Sequence, residues 1–372
     1  MKIGINATCI NNRPSGANQR FLGIYNELFH LMPESEFIIY HSFDTDITSW
    51  FKSPNVRYIK TPIHSEGGFS KFFYHLTFWQ KEFRAENFDL FESLNLPIVQ
   101  SNTCKTFQTI HDIRSISLPE SSARKFLSKL IHFQAIKKAN KIITVSDTMK
   151  HEILSYFPDA NVARIYNGID LKSFTSVDES ECDSLKLKMN LPDNFLLSVG
   201  HFEKRKNYAR LIEAIKLLKS NGIIKPLVII GNDSGTKKEV QKKIFQLGLQ
   251  EQIKIFSNIS SLDFKLICKM SDIFIFPSLY EGFGIPVLEA MAFEKPIILS
   301  NIPVFQEITQ MKYLYFDPNN PFDIAKALEP IIFNKNLASN SIEYGRKRIN
   351  DFSFPKVASE LMDLYSQQYE NT

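Results

Sequence analysis

Short β-rich runs alternate with helical patterns along nearly the whole chain, and the alternation starts afresh near its middle. In the first half, Lys2–Ala7, Glu36–Tyr40, Val56–Lys60, Leu90–Glu92, Thr106–Ile110, Lys141–Val145 and Val162–Tyr166 read as strands. Between them, Ala17–Leu31 places Phe21, Ile24, Leu28 and Leu31 on one helical face. Ala123–Ala139 reads as a second helix, and a third runs from Asp147, taken as its N-cap, toward Tyr156. The polar, acidic stretch Leu171–Asp193 reads as a linker. Beyond it come strands at Phe195–Val199, Leu227–Ile230, Lys254–Phe256, Ile273–Phe276, Pro296–Leu299 and Tyr313–Phe316. Helices at Asn207–Ser220, Lys237–Leu247, Pro286–Phe293 and from Phe322 separate them. Strand–helix alternation at this spacing requires parallel sheets covered on both faces. The expected fold is therefore α/β with two Rossmann-like domains, 1–172 and 173–372, facing across a cleft. Ligands in such folds bind beyond the carboxyl ends of the strands. A last helix, about Pro355–Tyr369, has no strand partner and is free to pack back on the first domain.

A length of 372 residues suits two domains. Lys and Arg number 44 against 40 Asp and Glu, too balanced for a dedicated nucleic-acid binder. Cys9, Cys104, Cys182 and Cys268 stand far apart, which excludes a zinc ribbon or CxxC pair and reads as free thiols in a reducing compartment. The start, MKIGINATCI, lacks the apolar core of a signal peptide, and no run approaches 18 apolar residues. The expectation is a cytoplasmic protein, with peripheral contact on the inner membrane face left open.

Two turns carry the chemistry. Pro277 to Glu289, Pro-Ser-Leu-Tyr-Glu-Gly-Phe-Gly-Ile-Pro-Val-Leu-Glu, follows a strand and opens a helix. Gly282 and Gly284 allow a tight turn, and Pro286 suits a first helical turn, where its missing donor costs nothing. Backbone N–H groups and the positive helix end would hold an anion such as a diphosphate. Glu281 and Glu289 flank this turn and suit sugar hydroxyls better than phosphate. Gly200 to Asn207, Gly-His-Phe-Glu-Lys-Arg-Lys-Asn, also lies between a strand and a helix. There Arg205 can grip two oxygens as a fork and Lys206 can act as a point charge on a leaving diphosphate.

With these motifs in place, the chain resembles glycosyltransferase family four, the retaining nucleotide-sugar transferases of GT-B fold. Glu281 through Glu289 matches the family's E-x7-E element with its internal Gly-Phe-Gly. Gly200 through Asn207 matches its phosphate-gripping Arg-Lys segment, with Lys204 where a Pro is usual. His111-Asp112, Tyr166-Asn167-Gly168-Ile169-Asp170, Ser300-Asn301-Ile302-Pro303 and Tyr315-Phe316-Asp317-Pro318 fit as well, and the likeness is to bacterial mannosyl- and rhamnosyltransferases of surface polysaccharide, O antigen included. The resemblance implies catalytic roles for Arg205, Lys206, Glu281 and His111. It implies donor contacts at Gly16, Phe283, Gly284, Ile285 and Glu289, and at Asp233 near the base. Ser15-Gly16 stands where the family often has two glycines. No cofactor is implied. No Asp-x-Asp element stands beside the donor motifs, and Asp44-Thr45-Asp46 lies in an early loop, so metal independence is expected.

The implied reaction moves a hexose, with mannose favoured, from a nucleotide-diphosphate sugar to a saccharide or lipid-linked saccharide. A nucleotide-sugar epimerase of the same architecture and a non-catalytic nucleotide-sugar-binding protein are the alternatives. Two further stretches stay open at this stage. Phe69–Phe83 is dense in aromatics with Lys71, Lys81 and Arg84 between them, and suits either a membrane face or core packing. Ala123–Lys141 carries six basic residues and no acid, and suits either anionic lipid or a solvated face.

Overall fold

A computed structural model describes residues 1–12, 15–66, 68–96, 99–119, 121–175 and 180–370. Two compact units emerge: Met1–Ile169 with Phe352–Thr372, and Asp170–Asp351. The division falls at 169/170 rather than 172/173, and the chain returns to the first unit from Phe352.

The first unit is built on a parallel sheet of β1 (Lys2–Asn6), β2 (Glu36–His41), β3 (Val56–Lys60), β4 (Leu90–Ser93), β5 (Lys105–Ile110), β6 (Lys141–Thr144) and β7 (Val162–Arg164), in the order β3-β2-β1-β4-β5-β6-β7. Side chains alternate between its faces. Phe37 and Ile39 of β2 join Ile3, Ile5 and the helix Gly16–Leu31 on one side. Ile38 and Tyr40 join Phe91 and the helix Gly68–Glu86 on the other. Both faces are apolar, so the strands read as near-continuous hydrophobic runs, as a doubly covered parallel sheet demands.

The terminal helix Phe354–Glu370 lies in the first of these layers: Val357, Ala358, Leu361 and Tyr365 are fully buried there. Phe354 seats its ring against two glycines. A Cβ on Gly23 would come 2.1 Å from that ring and one on Gly168 2.4 Å, so both positions must lack a side chain. Tyr365 hydrogen-bonds the buried Glu92 carboxylate of β4.

The second unit holds β8 (Leu196–Val199), β9 (Leu227–Ile230), β10 (Ile253–Phe256), β11 (Ile273–Phe276), β12 (Ile297–Ser300) and β13 (Leu314–Phe316), all parallel, in the order β10-β9-β8-β11-β12-β13. Its core gathers Leu196, Ile229, Ile275 and Ile298 with Leu211, Ile215 and Leu218 of the helix Tyr208–Ser220.

Two local readings need correction, and a third is decided. The N-cap of the helix Asp147–Tyr156 is Ser146, whose Oγ accepts from Met149 N at 3.1 Å; Asp147 is the first helical residue, where its charge still suits the positive helix end. The supposed linker contains the helices Lys172–Thr175 and Ser180–Met189, the latter seated by the buried Leu185, while 176–179 lie outside the described residues. In the aromatic stretch, Trp79 and Phe83 are core residues packed with Tyr40, Phe88 and Phe91. Pro14 and the side chains of Phe69, Lys71, Phe72 and Phe73 lie outside the described residues.

Candidate active site

In the second unit β8 and β11 are neighbours, but the chain leaves them in opposite directions, to β9 on one side and β12 on the other. Loops that diverge in this way leave a depression at the carboxyl edge of the sheet, where α/β proteins bind ligands. Both sequence motifs end here. Gly200 closes β8, and the chain turns back through a short 3-10 helix, Lys204–Lys206. Asn207 follows in the left-handed region at φ 60°. Its buried amide donates to the carbonyls of Pro277 (3.0 Å) and Pro318 (2.7 Å), fastening the basic turn to the ends of β11 and β13. The N–H of Leu279 donates to the Arg205 carbonyl at 2.7 Å. Gly200 has φ 150°, and a Cβ there would lie 2.8 Å from Lys206 Cε, so glycine gives the lysine its path.

Three ionic side chains converge in this depression. Lys206 Nζ lies 2.7 Å from Glu281 Oε1, and Arg205 Nη1 lies 2.6 Å from Glu281 Oε2. Arg205 Nε reaches Glu203 at 2.8 Å, and its Nη1 donates to the Tyr280 carbonyl at 3.3 Å. Ser278 Oγ donates to Glu281 Oε1 at 2.7 Å. Lys206 Nζ also sits 4.6 Å from the centre of the Phe276 ring, on its face. The Lys206 and Glu281 side chains are only 7% and 10% exposed, so this is a buried pair and not a surface ornament. Burial opposes ionisation of Glu281, but Lys206 and Arg205 overcome it and hold the carboxyl below its usual range. Burial also draws Lys206 below an ordinary lysine, partly offset by Glu281. For Arg205 burial is outweighed by Glu281 and Glu203, which raise it. The arrangement is a cationic pair held in place by carboxylates, with geometry suited to an incoming anion.

The helix Ile285–Ala292 begins beside this cluster. Gly284 is its N-cap at φ 117°, and a Cβ there would meet the Phe305 ring at 2.9 Å. Pro286 sits in the first turn, as the sequence predicts. Pro286 has no N–H and Val287 N donates to the Gly284 carbonyl at 2.9 Å, so the amides of Gly284 and Ile285 are the ones that can take up negative charge at this end. Phe283 is buried, while Ile285 is half-buried at the helix start. Glu289 lies a turn farther along, buried beside Cys268, whose thiol is pushed up by burial and by the Glu289 carboxylate.

Asp233 is not drawn into the cluster. It is exposed, and its Oδ1 accepts from Gly235 N (2.9 Å) and Lys237 N (3.2 Å), bonds that lower its pKa. It does stand on the same carboxyl edge, because Phe202 and Asp233 extend the pairing of β8 and β9. Exposed His201 accepts from Asn232 N at 3.3 Å, a local turn contact.

The remaining predicted residues belong to the first unit. Gly16 opens the helix after β1 and is exposed; Ser15 caps that helix, its Oγ accepting from Asn18 N at 3.1 Å. His111 follows β5, and burial, reinforced by the Arg20 guanidinium, brings its imidazole down to about 3. Arg20 itself is buried and donates to the carbonyls of Ile165 (3.1 Å) and Tyr166 (2.6 Å) and to Asn167 Oδ1 (3.1 Å). Asp44 and Asp46 hold turns, accepting from Ser65 and Thr48. Sequence reasoning missed Asn207, Ser278, Glu203 and Arg20 as positioning groups. An Asn at a strand–helix turn was the one available signal for Asn207.

A family model described as Glycosyl transferases group 1 matches residues 150–348, more than half of the chain. The chain belongs to that family. A Glycosyltransferase Family 4 model matches residues 38–173 of this glycosyl transferase, in line with the resemblance drawn from its motifs. The group 1 protein is 27% identical over 238 residues to the O-antigen chain mannosyltransferase RfbU of Salmonella typhimurium, covering 63% of this chain and 62% of that one. The match thus spans less than two thirds of that relative. It is 25% identical over 263 residues to the O-antigen chain mannosyltransferase B of Escherichia coli, covering 69% of each. Among solved structures, the sucrose-phosphate synthase of Thermosynechococcus elongatus superposes with a TM-score of 0.79 at 18% identity over 100% of both chains. The group 1 glycosyl transferase has the GT-B fold, built from two Rossmann-like domains, as expected.

Proposed function

We propose that this glycosyl transferase moves mannose from a nucleotide-diphosphate sugar to a hydroxyl of a saccharide or lipid-linked saccharide, with retention at the anomeric carbon, in the synthesis of a cell-surface polysaccharide. The observation that carries the reading is the convergence of Arg205, Lys206 and Glu281 beside the start of the helix Ile285–Ala292. Names of relatives support mannose and polysaccharide.

In this reading the diphosphate takes the place that Glu281 holds against the two cations. Arg205 and Lys206, with the amides of Gly284 and Ile285, stabilise the negative charge that grows as the bond from the anomeric carbon to the diphosphate oxygen breaks. The acceptor oxygen bonds to that carbon from the same face, and its proton goes to the departing diphosphate oxygen. Glu281, Phe283 and Glu289 contact the donor's sugar and ribose, and Asp233 lies toward the base. For Gly16 and His111 of the first unit we carry over the roles that the resemblance implies, diphosphate for the one and sugar or acceptor for the other. The charge a metal would supply comes from side chains, so no metal is needed. Because a lipid-linked acceptor is presented at a bilayer, the protein acts in the cytoplasm with peripheral contact on the inner membrane face. No helix of the described residues is long and apolar enough to cross a membrane.

The test is a panel of GDP, UDP and dTDP sugars, first by thermal shift and then with saccharide acceptors, with products read by NMR. A GDP-mannose-dependent glycoside of retained configuration is expected. An epimerised nucleotide sugar formed from donor alone, or binding without transfer to any acceptor, would overturn the reading.

A further inference from the structure

Among the described residues, three Lys or Arg residues are buried: Arg20 at 4% exposure, Lys206 at 6% and Arg348 at 9%. Two of them have a carboxylate in contact. Lys206 meets Glu281 at 2.7 Å, and Arg348 meets Asp351 at 2.8 Å. Arg20 makes no ion pair among the described residues. Glu92 acts on it only from a distance, and both Glu92 oxygens are engaged, one by Thr109 and the other by Tyr365. Burial draws the guanidinium below the usual arginine range. A cation buried without a counter-charge is costly, so its place in the fold calls for a reason.

The bonds that Arg20 does make are one-sided. All of them leave from Nη1, to the carbonyls of Ile165 and Tyr166 and to Asn167 Oδ1. Nε and Nη2, the other edge of the planar fork, have no partner among the described residues. That edge carries parallel N–H groups, the geometry that takes up a phosphate or carboxylate through two oxygens. The same contact orients Asn167. Its Oδ1 accepts from Arg20, so Nδ2 turns away with donor hydrogens that no described residue uses. The set thus offers donors and a net positive charge with no acceptor left over, which suits an oxyanion better than a sugar hydroxyl.

Its position suits a ligand too. The helix Gly16–Leu31, which holds Arg20, leaves β1; Ile165–Asn167 follow β7; and His111, which feels the Arg20 charge, follows β5. All stand at the carboxyl edge of the first unit's sheet. β1 and β4 are neighbours there, and the chain leaves them for β2 on one side and β5 on the other, the arrangement that opens a ligand depression.

We propose that the Nε–Nη2 edge of Arg20, with the Asn167 amide, seats a phosphate group of one of the reactants, as an oxyanion site of the first unit. The inference rests on the transfer reading only for the source of that phosphate, which is either the nucleotide diphosphate or the diphosphate of a lipid-linked acceptor.

The full chain, isotopically labelled at arginine, is titrated with inorganic pyrophosphate while the Arg20 Nε–H resonance is followed by NMR. The resonance is identified by its loss in Arg20→Lys, or through its own side-chain carbons if that variant does not fold. A saturable shift is expected, and it persists in Arg205→Ala. Asn167→Asp keeps the shape and the Oδ1 acceptor while supplying the carboxylate that Arg20 lacks. Pyrophosphate affinity read at Arg20 then falls at least about tenfold, as expected for a charge-assisted contact, while thermal unfolding holds or rises. The inference is overturned by an Arg20 signal that pyrophosphate does not move, by a shift that disappears in Arg205→Ala and so is relayed from the second unit, or by full affinity in Asn167→Asp. Nucleotide sugars (GDP-mannose, UDP-glucose) and N-acetylglucosamine diphosphate on a short prenyl chain are then titrated separately. The reactant that moves the Arg20 signal carries the phosphate, and if none moves it the inference falls. Transfer to a saccharide with an Arg20 signal that no phosphate moves sinks this inference alone; phosphate at Arg20 without any transfer sinks the functional reading alone.

Discussion

Lys206 Nζ and Glu281 Oε1 meet at 2.7 Å, although 75 residues separate them in the chain. The contact joins the turn after β8 to the turn after β11, so the two motifs proposed to carry the phosphate chemistry are one ionic unit. Glu281 accepts from Arg205 as well, and so it holds the place against the two cations that the proposed function gives to the diphosphate.

Competition follows from that geometry. Glu281→Gln keeps the side-chain shape and removes the resident negative charge. Nucleoside-diphosphate affinity is expected to hold or rise, while transfer falls because the sugar loses its acceptor carboxylate. Calorimetric titration with GDP, alongside turnover of the same variant, checks the split. A parallel loss of both would remove the idea that Glu281 and diphosphate compete.

Removing the cation acts differently. Lys206→Ala leaves Glu281 buried with Arg205 alone, and breaking a buried pair costs about 3 kcal/mol or more. Urea unfolding is expected to report a loss of about 3 kcal/mol, together with weaker diphosphate binding.

Asn207 is a purely structural counterpart. Its amide satisfies two carbonyls just beyond separate strands, and its backbone sits in a region that favours Asn and Gly. Asn207→Ala is expected to destabilise by about 2–4 kcal/mol, from two buried acceptors left without a donor and from backbone strain. Asn207→Gly relieves only the strain and recovers about 1 kcal/mol of that loss. Equal stability of the three proteins in urea would show that the amide bonds contribute nothing.

His111 supplies a pH signature. Its folded value near 3 lies below the ordinary histidine value of 6.5. Between those limits the unfolded chain binds more protons than the folded one, so stability rises with pH through the window. The contribution is complete above 6.5 and is lost as pH falls toward 3. His111→Gln is expected to flatten the acid limb of the stability–pH curve below 6.5 relative to the parent. Parallel curves for the two proteins would contradict an imidazole held neutral in the folded chain.

The terminal helix offers a coupling test. Gly23→Ala forces a methyl into the Phe354 ring, an overpacking error that costs about 1–3 kcal/mol. Phe354→Ala removes the obstacle while leaving a cavity of its own. The double variant is expected to be more stable than the sum of the single effects by about 1 kcal/mol or more. Additive losses would mean that Gly23 and Phe354 do not share that space.

Periodicity recovers most of the framework because both sheets are covered on both faces, which makes every strand a compact apolar run. Val56–Lys60, Leu227–Ile230 and Ile273–Phe276 fall where the pattern places them. Helices without a large apolar face escape it. Lys335–Arg348 buries Ser341, Gly345 and Arg348, which no apolar pattern marks, and Ser261–Met270 is short, with the contiguous Leu266, Ile267 and Cys268 as its buried set. At the site, Arg205, Lys206, Glu281 and the Gly284–Pro286 turn are legible because turn chemistry restricts residue type. The amide bridges of Asn207 and the Tyr365–Glu92 bond are not, because they depend on tertiary neighbours 70 to 273 residues away.

Binding of GDP and GDP-mannose to the parent, Arg205→Ala and Lys206→Ala proteins, by calorimetry in the presence of a chelator, tests the central claim most directly. The account predicts saturable binding to the parent that is unaffected by the chelator and falls at least tenfold in each variant, with folding verified by circular dichroism. Undiminished affinity in both folded variants would mean that this cationic pair does not hold the diphosphate.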